Sequence, residues 1–424
     1  MLVQHPLLML TEKDRKMKMQ TVSSEEDNMS FQNTELKPQK DVSIVNASDW
    51  VFFVGVAIWS LNEFIKFSEI SNYVSKFWPL AFRAVGVGLV VISFFLRDFL
   101  HIDAIRFIIT SLILAFFMLN NGLLAGDANW IDIGILSLGS IGIHYGKVFS
   151  SLASYRIIIN GVLIGLALLS KIPNEVQVSQ SRLRFYLGYN WASFAAHTLL
   201  FITFLLLWSV RGKIKWWLFG ALLFVNFWAY NQTQTRAPFL IAIFCLVTWF
   251  IAAKLRIQKI KWKTLYFLTI LIVPVLTILI LYLSYNVSSY PRIDALLSTR
   301  LSLGRTYLDQ YGLTLFGHPV YESTDFIWIG RTYQTLDSSL MRYVVKYGII
   351  SSFLFISSWV YISRRIAKIH DFYLDLLLLC LAMEAFGDPW FLFASYNIFI
   401  ILLGSLALRN DQFNSVISGC LKIL

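Results

Sequence analysis

Apolar stretches close to the length of a membrane span recur along the chain from Trp50 to its end. About 20 mostly apolar residues in a helix cross the hydrocarbon core of a bilayer. The pattern therefore predicts twelve transmembrane helices, near residues 49–65, 78–96, 106–120, 129–145, 155–170, 190–209, 215–230, 237–253, 264–285, 339–361, 372–387 and 389–408. The predicted fold class is all-α, a polytopic membrane helix bundle.

Polar stretches divide this bundle into parts. Residues 1–46 are polar and of mixed charge, too poor in apolar side chains to build a core, and are predicted to form a cytoplasmic tail. The first part of the bundle covers 47–285 and the last part 339–408, followed by a second cytoplasmic tail at 409–424. Between the two parts lies the stretch 286–338, and loops of more than about 12–15 residues are commonly functional or disordered.

Composition agrees with a membrane protein and argues against other classes. Hydrophobic residues make up 57% of the 424 residues and charged residues only 14%, whereas a soluble domain has roughly 25% charged residues. The formal net charge is +11, but the basic residues are scattered between apolar stretches and form no stripe typical of nucleic-acid binding. Cys245, Cys380 and Cys420 lie in apolar stretches without a CxxC pair, which argues against a disulfide scaffold or a zinc site.

Short basic loops predict the orientation of the bundle, because loops rich in Lys and Arg stay on the cytoplasmic side. Such clusters begin at Arg211 (RGKIK), Lys254 (KLRIQKIKWK) and Ser363 (SRRIAK). Alternation of the spans then places both termini in the cytoplasm and residues 286–338 outside. The predicted location is the cell membrane, with one large extracytoplasmic loop.

The extracytoplasmic loop combines a predicted helix with a cluster of basic residues. Pro291 is a favoured first helical residue, and Ile293, Leu297, Leu301 and Leu308 follow at near-helical spacing, which predicts an amphipathic helix on the membrane surface. Arginine binds phosphate through a planar fork of donors, so such a cluster beside the bilayer suits a lipid-linked diphosphate. The basic residues of the loop and of the next span are Arg292, Arg300, Arg305, Arg331, Arg342 and Lys346.

Simpler roles are open for several arginines on this side of the membrane. Arg305 and Asp309 stand four positions apart on the predicted helix, so an exposed ion pair accounts for both. Arg236 opens an apolar span, where its side chain can extend to the interface. Arg182 and Arg184 directly precede another span, where they can anchor lipid headgroups.

Titratable side chains near the outer loops are candidates for proton transfer. Asp337 lies at the mouth of a predicted span, where it can act as a base or cap the helix after it. His197 and His318 are alternative bases, although a single His in a span or turn is more often packed than catalytic.

Four segments within residues 180–360 carry a family resemblance. They read RLRFYLGYN before a span, TQTRAPFL at the start of a span, LSTRLSLGRTYLDQYGLTLFGHP in the loop and LDSSLMRYVVKYGIISSFLF after it. In this order they resemble the O-antigen and capsular polysaccharide polymerases, the Wzy-like branch of the polymerase and ligase superfamily. The first segment departs from the family's His-Pro-Asn-like element at residues 190–193, and Ser338 and Leu340 replace the family's usual Asn and Tyr.

The resemblance implies a glycosyltransferase that joins oligosaccharide repeat units carried on polyprenyl diphosphate, without a cofactor. It implies that arginines matching Arg236 and Arg300 or Arg305 contact substrate. The residues expected to be catalytic are Asp337, Arg300 and Arg305. The residues expected to bind substrate are Arg182, Arg184, Arg236, Arg342, His318 and Tyr333.

The remaining expectations concern metals, partners and rival functions. The sequence offers no dense acidic cluster outside for Mg²⁺, so catalysis is expected to be metal-independent. A flippase and a chain-length regulator are the expected protein partners. The alternatives are a flippase of lipid-linked oligosaccharide, disfavoured by the long loop and by the absence of an obvious inverted repeat, an O-antigen ligase, and a polyprenyl-phosphate-sugar glycosyltransferase. The last commonly has paired carboxylates in its first outer loop, where this chain has only Glu63 and Glu69.

Overall fold

The helices of this chain follow its long apolar stretches. The computed structural model describes residues 47–97, 102–179, 182–256, 263–323 and 334–418. The predicted tail at 1–46, Arg331, Tyr333 and Cys420 lie outside the described residues. The described α-helices are α1 (Ala47–Lys66), α2 (Phe77–Phe95), α3 (Ala104–Phe117), α4 (Asn129–Gly139), α5 (Tyr145–Leu168), α6 (Ala192–Val210), α7 (Trp216–Thr233), α8 (Arg236–Lys254), α9 (Lys263–Tyr285), α10 (Pro291–Leu296), α11 (Arg300–Tyr311), α12 (Ser339–Lys368), α13 (Phe372–Gly387) and α14 (Asn410–Ser418).

Shorter elements complete the described part of the chain. A π-helix, Met118–Leu124, continues α3. The strands β1 (Val176–Ser179) and β2 (Arg182–Phe185) form an antiparallel hairpin in which Gln177 pairs with Arg184. The 3₁₀ helices are Glu69–Asn72, Arg211–Lys213, Val287–Ser289, Pro389–Leu392 and Ile398–Ala407.

Seven of the described helices are long and apolar enough to cross a membrane. They cover Phe77–Phe95, Ala104–Leu124, Tyr145–Leu168, Ala192–Lys213, Arg236–Lys254, Thr264–Tyr285 and Ser339–Lys368. Several carry outward-facing apolar side chains, such as Phe95 on α2 and Ile278 on α9, while Trp130 and Trp208 are fully buried between helices. An all-α membrane-type bundle is consistent with this arrangement, and the count of twelve crossings stays a prediction.

The stretch 389–408 differs from the continuous helix predicted there. Asp388 is extended (φ −141°, ψ 157°) and Pro389 comes next. A residue before proline is pushed away from the helical region, and proline itself lacks the N–H that a helix interior needs. The chain therefore leaves α13 at Gly387 and continues as two 3₁₀ helices rather than as one span.

The segment that follows α11 packs against a kink in α12. Gly348 has φ +83° within the helix, and the N–H groups of Ile349 and Ile350 donate to Thr314 O (2.9 Å) and Leu315 O (3.1 Å) instead of to their own helix. A Cβ on Gly348 would lie 2.6 Å from the carbonyl carbon of Phe316. Glycine is therefore needed here both for its backbone conformation and for the close approach of the crossing segment.

The π-helix holds the same crossing from its other side. Asn120 Nδ2 donates to Tyr347 O at 2.7 Å, and Asn120 Oδ1 accepts from Gly317 N at 2.9 Å. One buried side chain thus joins α3, the kink of α12 and the segment after α11. Such widened turns are frequently found at functional sites.

Candidate functional site

A cavity of about 720 Å³ lies among the β-hairpin, the α7–α8 turn, the start of α11 and the break after α13. This volume is within the range of small-molecule sites. Five guanidinium groups against three carboxylates give the described lining a formal excess of positive charge, which favours an anionic ligand. The charged lining consists of Arg182, Arg184, Arg236, Arg300, Arg342, Glu322, Asp337 and Asp388.

Aromatic side chains form another part of the cavity wall. The ring of Trp390 lies 4.8 Å from that of Phe194 and 5.5 Å from that of Phe393, measured between centroids. Aromatic faces offer rigid apolar surface, which matches the C–H faces of sugar rings. The aromatic lining residues are Phe67, Trp191, Phe194, Trp390 and Phe393.

Arg300 is held at the cavity by the short link between α10 and α11. The carboxylate of buried Asp294 accepts from the backbone N–H groups of Leu301 (2.9 Å) and Ser302 (3.1 Å). These groups belong to the first turn of α11, where N–H groups have no partner within the helix. Asp294 therefore anchors the start of α11, and Arg300 is the first residue of that helix.

The partner of Arg300 is Asp388, at the break between α13 and the next 3₁₀ helix. Arg300 Nη2 donates to Asp388 Oδ1 at 2.8 Å, and the side chains of the two residues are 19% and 8% exposed. The carbonyl of Asp388 accepts from Ser339 Oγ at 2.7 Å, which fixes its backbone to the start of α12. An ion pair this well shielded from water is electrostatically stronger than a surface pair.

Behind Asp388 lies a buried pair that belongs to α6 and α13. His197 Nδ1 lies 2.8 Å from Glu384 Oε1, and both side chains are fully buried. The other ring nitrogen, His197 Nε2, lies 3.7 Å from Asp388 Oδ1. A chain of charged or ionisable groups therefore runs from Arg300 in the cavity lining to Glu384 in the interior of the bundle.

Arg342 belongs to a separate network on the α12 side of the cavity. Its Nη2 donates to the carboxylate of Glu322, which also accepts from the backbone N–H of Leu336 at 3.1 Å. Lys346 Nζ lies 3.6 Å from Glu322 Oε2 and 3.7 Å from Asp127 Oδ2. Glu322 thus links Arg342, Lys346 and the backbone of Leu336 in one network of the cavity wall.

Arg184 links the β-hairpin to the turn from which Arg236 enters the lining. Arg184 Nε donates to Thr233 O at 2.8 Å, and Arg184 Nη2 donates to Thr235 Oγ1 at 3.2 Å. Arg182 stands two positions earlier on the same strand and therefore on the same face of the hairpin. The hairpin thus places two arginines beside Arg236, the first residue of α8.

Arg305, expected to be catalytic, does not line the cavity. Its Nε donates to Asp309 Oδ2 at 2.8 Å, and its guanidinium lies 5.3 Å from the centre of the Tyr285 ring. Five residues along an α-helix correspond to a rotation of about 140°, so Arg300 and Arg305 face different sides of α11. The simpler interpretation, an exposed ion pair, describes Arg305.

His318, another expected substrate contact, is not among the described residues of the cavity lining. His318 Nδ1 lies 3.2 Å from Thr314 Oγ1, and its ring lies 5.5 Å from that of Tyr311. Partial burial lowers the pKa of His318, because burial disfavours the charged imidazole. Tyr333 lies outside the described residues.

Asp337 lines the cavity and is partly buried. The N-cap of α12 is its neighbour Ser338, whose hydroxyl accepts from Met341 N at 3.4 Å. The interpretation of Asp337 as the helix cap is therefore wrong. Its carboxylate belongs to the cavity instead.

Sequence reasoning found Asp337 but missed the other carboxylates of the site. Glu384 and Asp388 stand within the apolar run LCLAMEAFGDPWFLF, and Glu322 stands in the loop. Carboxylates inside apolar stretches are costly and commonly functional, which is the signal that could have found the first two. Their partners, Arg300 and His197, lie far away along the sequence and become visible only in the fold.

The group formed by His197, Glu384 and Asp388 has ligand atoms within 4.8 Å of one another. Such a group could in principle hold a metal ion, but Arg300 Nη2 already donates to an Asp388 oxygen at 2.8 Å. A cation bound there would face the guanidinium charge at close range. The arrangement therefore fits proton transfer better than metal binding, and the three residues are not assigned as metal ligands.

Taken together, the site can bind an anion through several guanidinium groups, pack a sugar against aromatic rings and take up a proton on a carboxylate. These are the elements of a transfer reaction with an anionic leaving group. Comparisons with protein-family models, curated proteins and solved structures find no match for the chain.

Proposed function

We propose that the chain is a membrane glycosyltransferase, a polymerase that joins oligosaccharide repeat units carried on polyprenyl diphosphate. The reaction takes place on the outer face of the cytoplasmic membrane, with the cavity outside and both termini inside. The observation that carries this proposal is that arginines from separate segments line one cavity. They are Arg182, Arg184, Arg236, Arg300 and Arg342.

A diphosphate is the ligand that this charge distribution suits. Guanidinium groups bind phosphate oxygens in pairs of parallel hydrogen bonds, and several of them can surround a group with multiple negative charges. Fixed positive charge aimed at a leaving group is commonly the largest contribution to catalysis. The arginines therefore serve both to bind the lipid-linked donor and to stabilise the departing diphosphate.

The position of the cavity along the helices favours a lipid-linked substrate over a free one. Arg236 is the first residue of α8, Arg342 lies in the first turn of α12 and Trp191 directly precedes α6. All three helices are long and apolar enough to span a membrane. A site at their ends lies at the interface, where a diphosphate headgroup is located while its polyprenyl chain stays in the bilayer.

The reaction is a displacement at the anomeric carbon of the growing chain. A hydroxyl oxygen of one lipid-linked unit forms a bond to that carbon, the bond from carbon to the diphosphate oxygen breaks, and the diphosphate leaves with the electron pair. A cavity carboxylate takes the hydroxyl proton. Direct displacement inverts the anomeric carbon.

Deletion of the gene tests the proposal through the lipid-linked saccharides that accumulate. A polymerase deletion leaves single repeat units on lipid in the outer leaflet and no long surface polymer. Single units confined to the cytoplasmic leaflet would instead identify a flippase. Polymer of normal length that stays on its lipid carrier, without transfer to an acceptor, would identify a ligase.

A purified system separates the proposal from indirect effects in the cell. Full-length protein in lipid nanodiscs is supplied with labelled repeat units on polyprenyl diphosphate, and the product length is measured by gel electrophoresis. Formation of dimers and longer chains together with release of polyprenyl diphosphate is the expected result. A protein that leaves the units unchanged in this assay is not the polymerase.

A further inference from the structure

Asp388 combines features that set it apart as the proton acceptor of the proposed reaction. It lies in the cavity lining, and its backbone is fixed by hydrogen bonds to Ser339 and Glu384. Asp388 Oδ1 accepts from Arg300, whereas Asp388 Oδ2 is buried without a hydrogen bond to any described residue. A carboxylate whose charge is balanced by one neighbouring guanidinium can accept a proton once that guanidinium moves away.

The groups packed around Asp388 balance its charge. They are Arg300 from α11, His197 from α6 and Glu384 from α13. With His197 as an imidazolium, two cations face two carboxylates and the buried cluster is neutral, as burial of charges requires. Removal of Arg300 from this cluster leaves one uncompensated negative charge next to the cavity.

We propose that Asp388 accepts the proton in the glycosyl transfer, positioned by the buried His197–Glu384 pair and masked by Arg300 until a bound diphosphate draws that guanidinium away. This inference rests on the proposed function and assigns the base, expected at Asp337, to Asp388. Donor binding and activation of the base are thereby coupled, because one guanidinium serves the carboxylate in the empty site and the diphosphate in the occupied one.

The proposed step replaces the acceptor O–H bond and the bond from the anomeric carbon to the diphosphate with a glycosidic bond and a protonated Asp388. The acceptor O–H bond breaks and its proton moves to Asp388, while the acceptor oxygen bonds to the anomeric carbon. The bond from that carbon to the diphosphate breaks, and the diphosphate keeps the electron pair. The guanidinium of Arg300 stays bound to the diphosphate at this point. When the diphosphate leaves, Arg300 returns to Asp388, which favours loss of the proton to water and restores the masked state.

Binding of polyprenyl diphosphate without sugar tests the masking directly, with full-length protein in nanodiscs. Masking means that Asp388 competes with the ligand for Arg300, so Asp388→Asn is expected to bind polyprenyl diphosphate about tenfold more tightly than the unchanged protein. If Asp388 only held Arg300 in place, the same variant would bind more weakly. Weaker binding would overturn the masking.

Turnover tests the catalytic assignment. Asp388→Asn is expected to lower kcat by about 10²–10⁴-fold, the usual contribution of a general base. His197→Gln is expected to lower kcat with little change in donor affinity and to move the acid limb of the kcat–pH profile to higher pH. The reason is that the variant removes an ionisable ring whose Nε2 lies 3.7 Å from Oδ1 of the proposed proton acceptor. Glu384→Gln is nearly isosteric and keeps the packing. This second variant is also expected to change the kcat–pH profile.

A matched control separates these effects from general damage to α13. Asp375 is a buried carboxylate on the same helix, and it does not line the cavity. Asp375→Asn is therefore expected to keep the kcat–pH profile of the wild-type protein. If Asp388→Asn keeps its kcat, or if His197→Gln and Glu384→Gln both keep the profile, the assignment fails. If the wild-type protein neither joins lipid-linked repeat units nor binds polyprenyl diphosphate, the proposed function itself fails.

Discussion

Arg300 Nη2 donates to Asp388 Oδ1 at 2.8 Å, although 88 positions separate the two residues in the chain. The pair joins the first residue of α11 to the residue directly after α13. It therefore ties the segment after α9 to the helix bundle at the point where the cavity lies. A change at Arg300 is expected to affect both the charge of the cavity and the state of Asp388.

Arg300→Lys tests whether the guanidinium fork is required. Lysine keeps the positive charge but loses the two parallel donors, so the rate of polymer formation is expected to fall by about 10²–10³-fold, as on removal of a preorganised donor. The measurement is the initial rate with labelled lipid-linked repeat units at equal protein concentration. Full polymer formation by this variant would contradict a bidentate role.

Arg305→Ala is the matched comparison on the same helix. Arg305 forms an exposed pair with Asp309, and such pairs contribute only about 0.2–1 kcal/mol to stability. We expect the variant to keep its polymerisation rate within about fivefold, the factor to which about 1 kcal/mol corresponds. A loss of activity as large as that of Arg300→Lys, at normal protein level, would place Arg305 back in the site.

Gly348→Ala tests the crossing at the kink of α12. The added Cβ meets Phe316 at 2.6 Å and the backbone has φ +83°, so the free energy of unfolding is expected to fall by at least about 1–3 kcal/mol, the usual cost of such a backbone conformation. Thermal unfolding in detergent measures this change. Gly220→Ala on α7 is the control, because its added methyl group meets nothing within 4 Å. Equal stability of both variants would show that the crossing does not depend on Gly348.

Chelation tests the expectation of metal-independent catalysis. Five arginines in the described cavity lining supply positive charge for a diphosphate, so no divalent cation is required to balance it. Purified protein treated exhaustively with a chelator is expected to join lipid-linked repeat units at its original rate. Loss of the rate, with recovery on addition of Mg²⁺ or another divalent cation, would count against this mechanism.

Much of the secondary structure could be predicted from the sequence, because hydropathy is a local property. The apolar runs at 78–96 and 237–253 correspond closely to α2 and α8. The run at 389–408 is equally apolar but forms 3₁₀ helices, because Pro389 ends the preceding helix and packing decides the conformation of the next residues. Apolar composition alone does not distinguish a span from a buried irregular segment.

For the candidate site, residue type was the useful signal and partner choice was not. Arginine on the predicted extracytoplasmic side pointed to Arg236 and Arg300, which the structure brings to one cavity. The same signal selected Arg305, which faces elsewhere. Which side of α11 faces the cavity depends on how that helix packs, and a pattern of residue types does not contain that information.

By itself, the sequence determined that the chain forms long apolar helices and that Arg236 stands at the start of an apolar run, where charge is costly, because both depend on local composition. Only the tertiary structure decided that Arg300 meets Asp388, and that His197 meets Glu384 across 187 positions. These contacts form where helices distant in the chain pack together. The pairing of Asp388 and Glu384 with their basic partners therefore appears only once the helices are assembled.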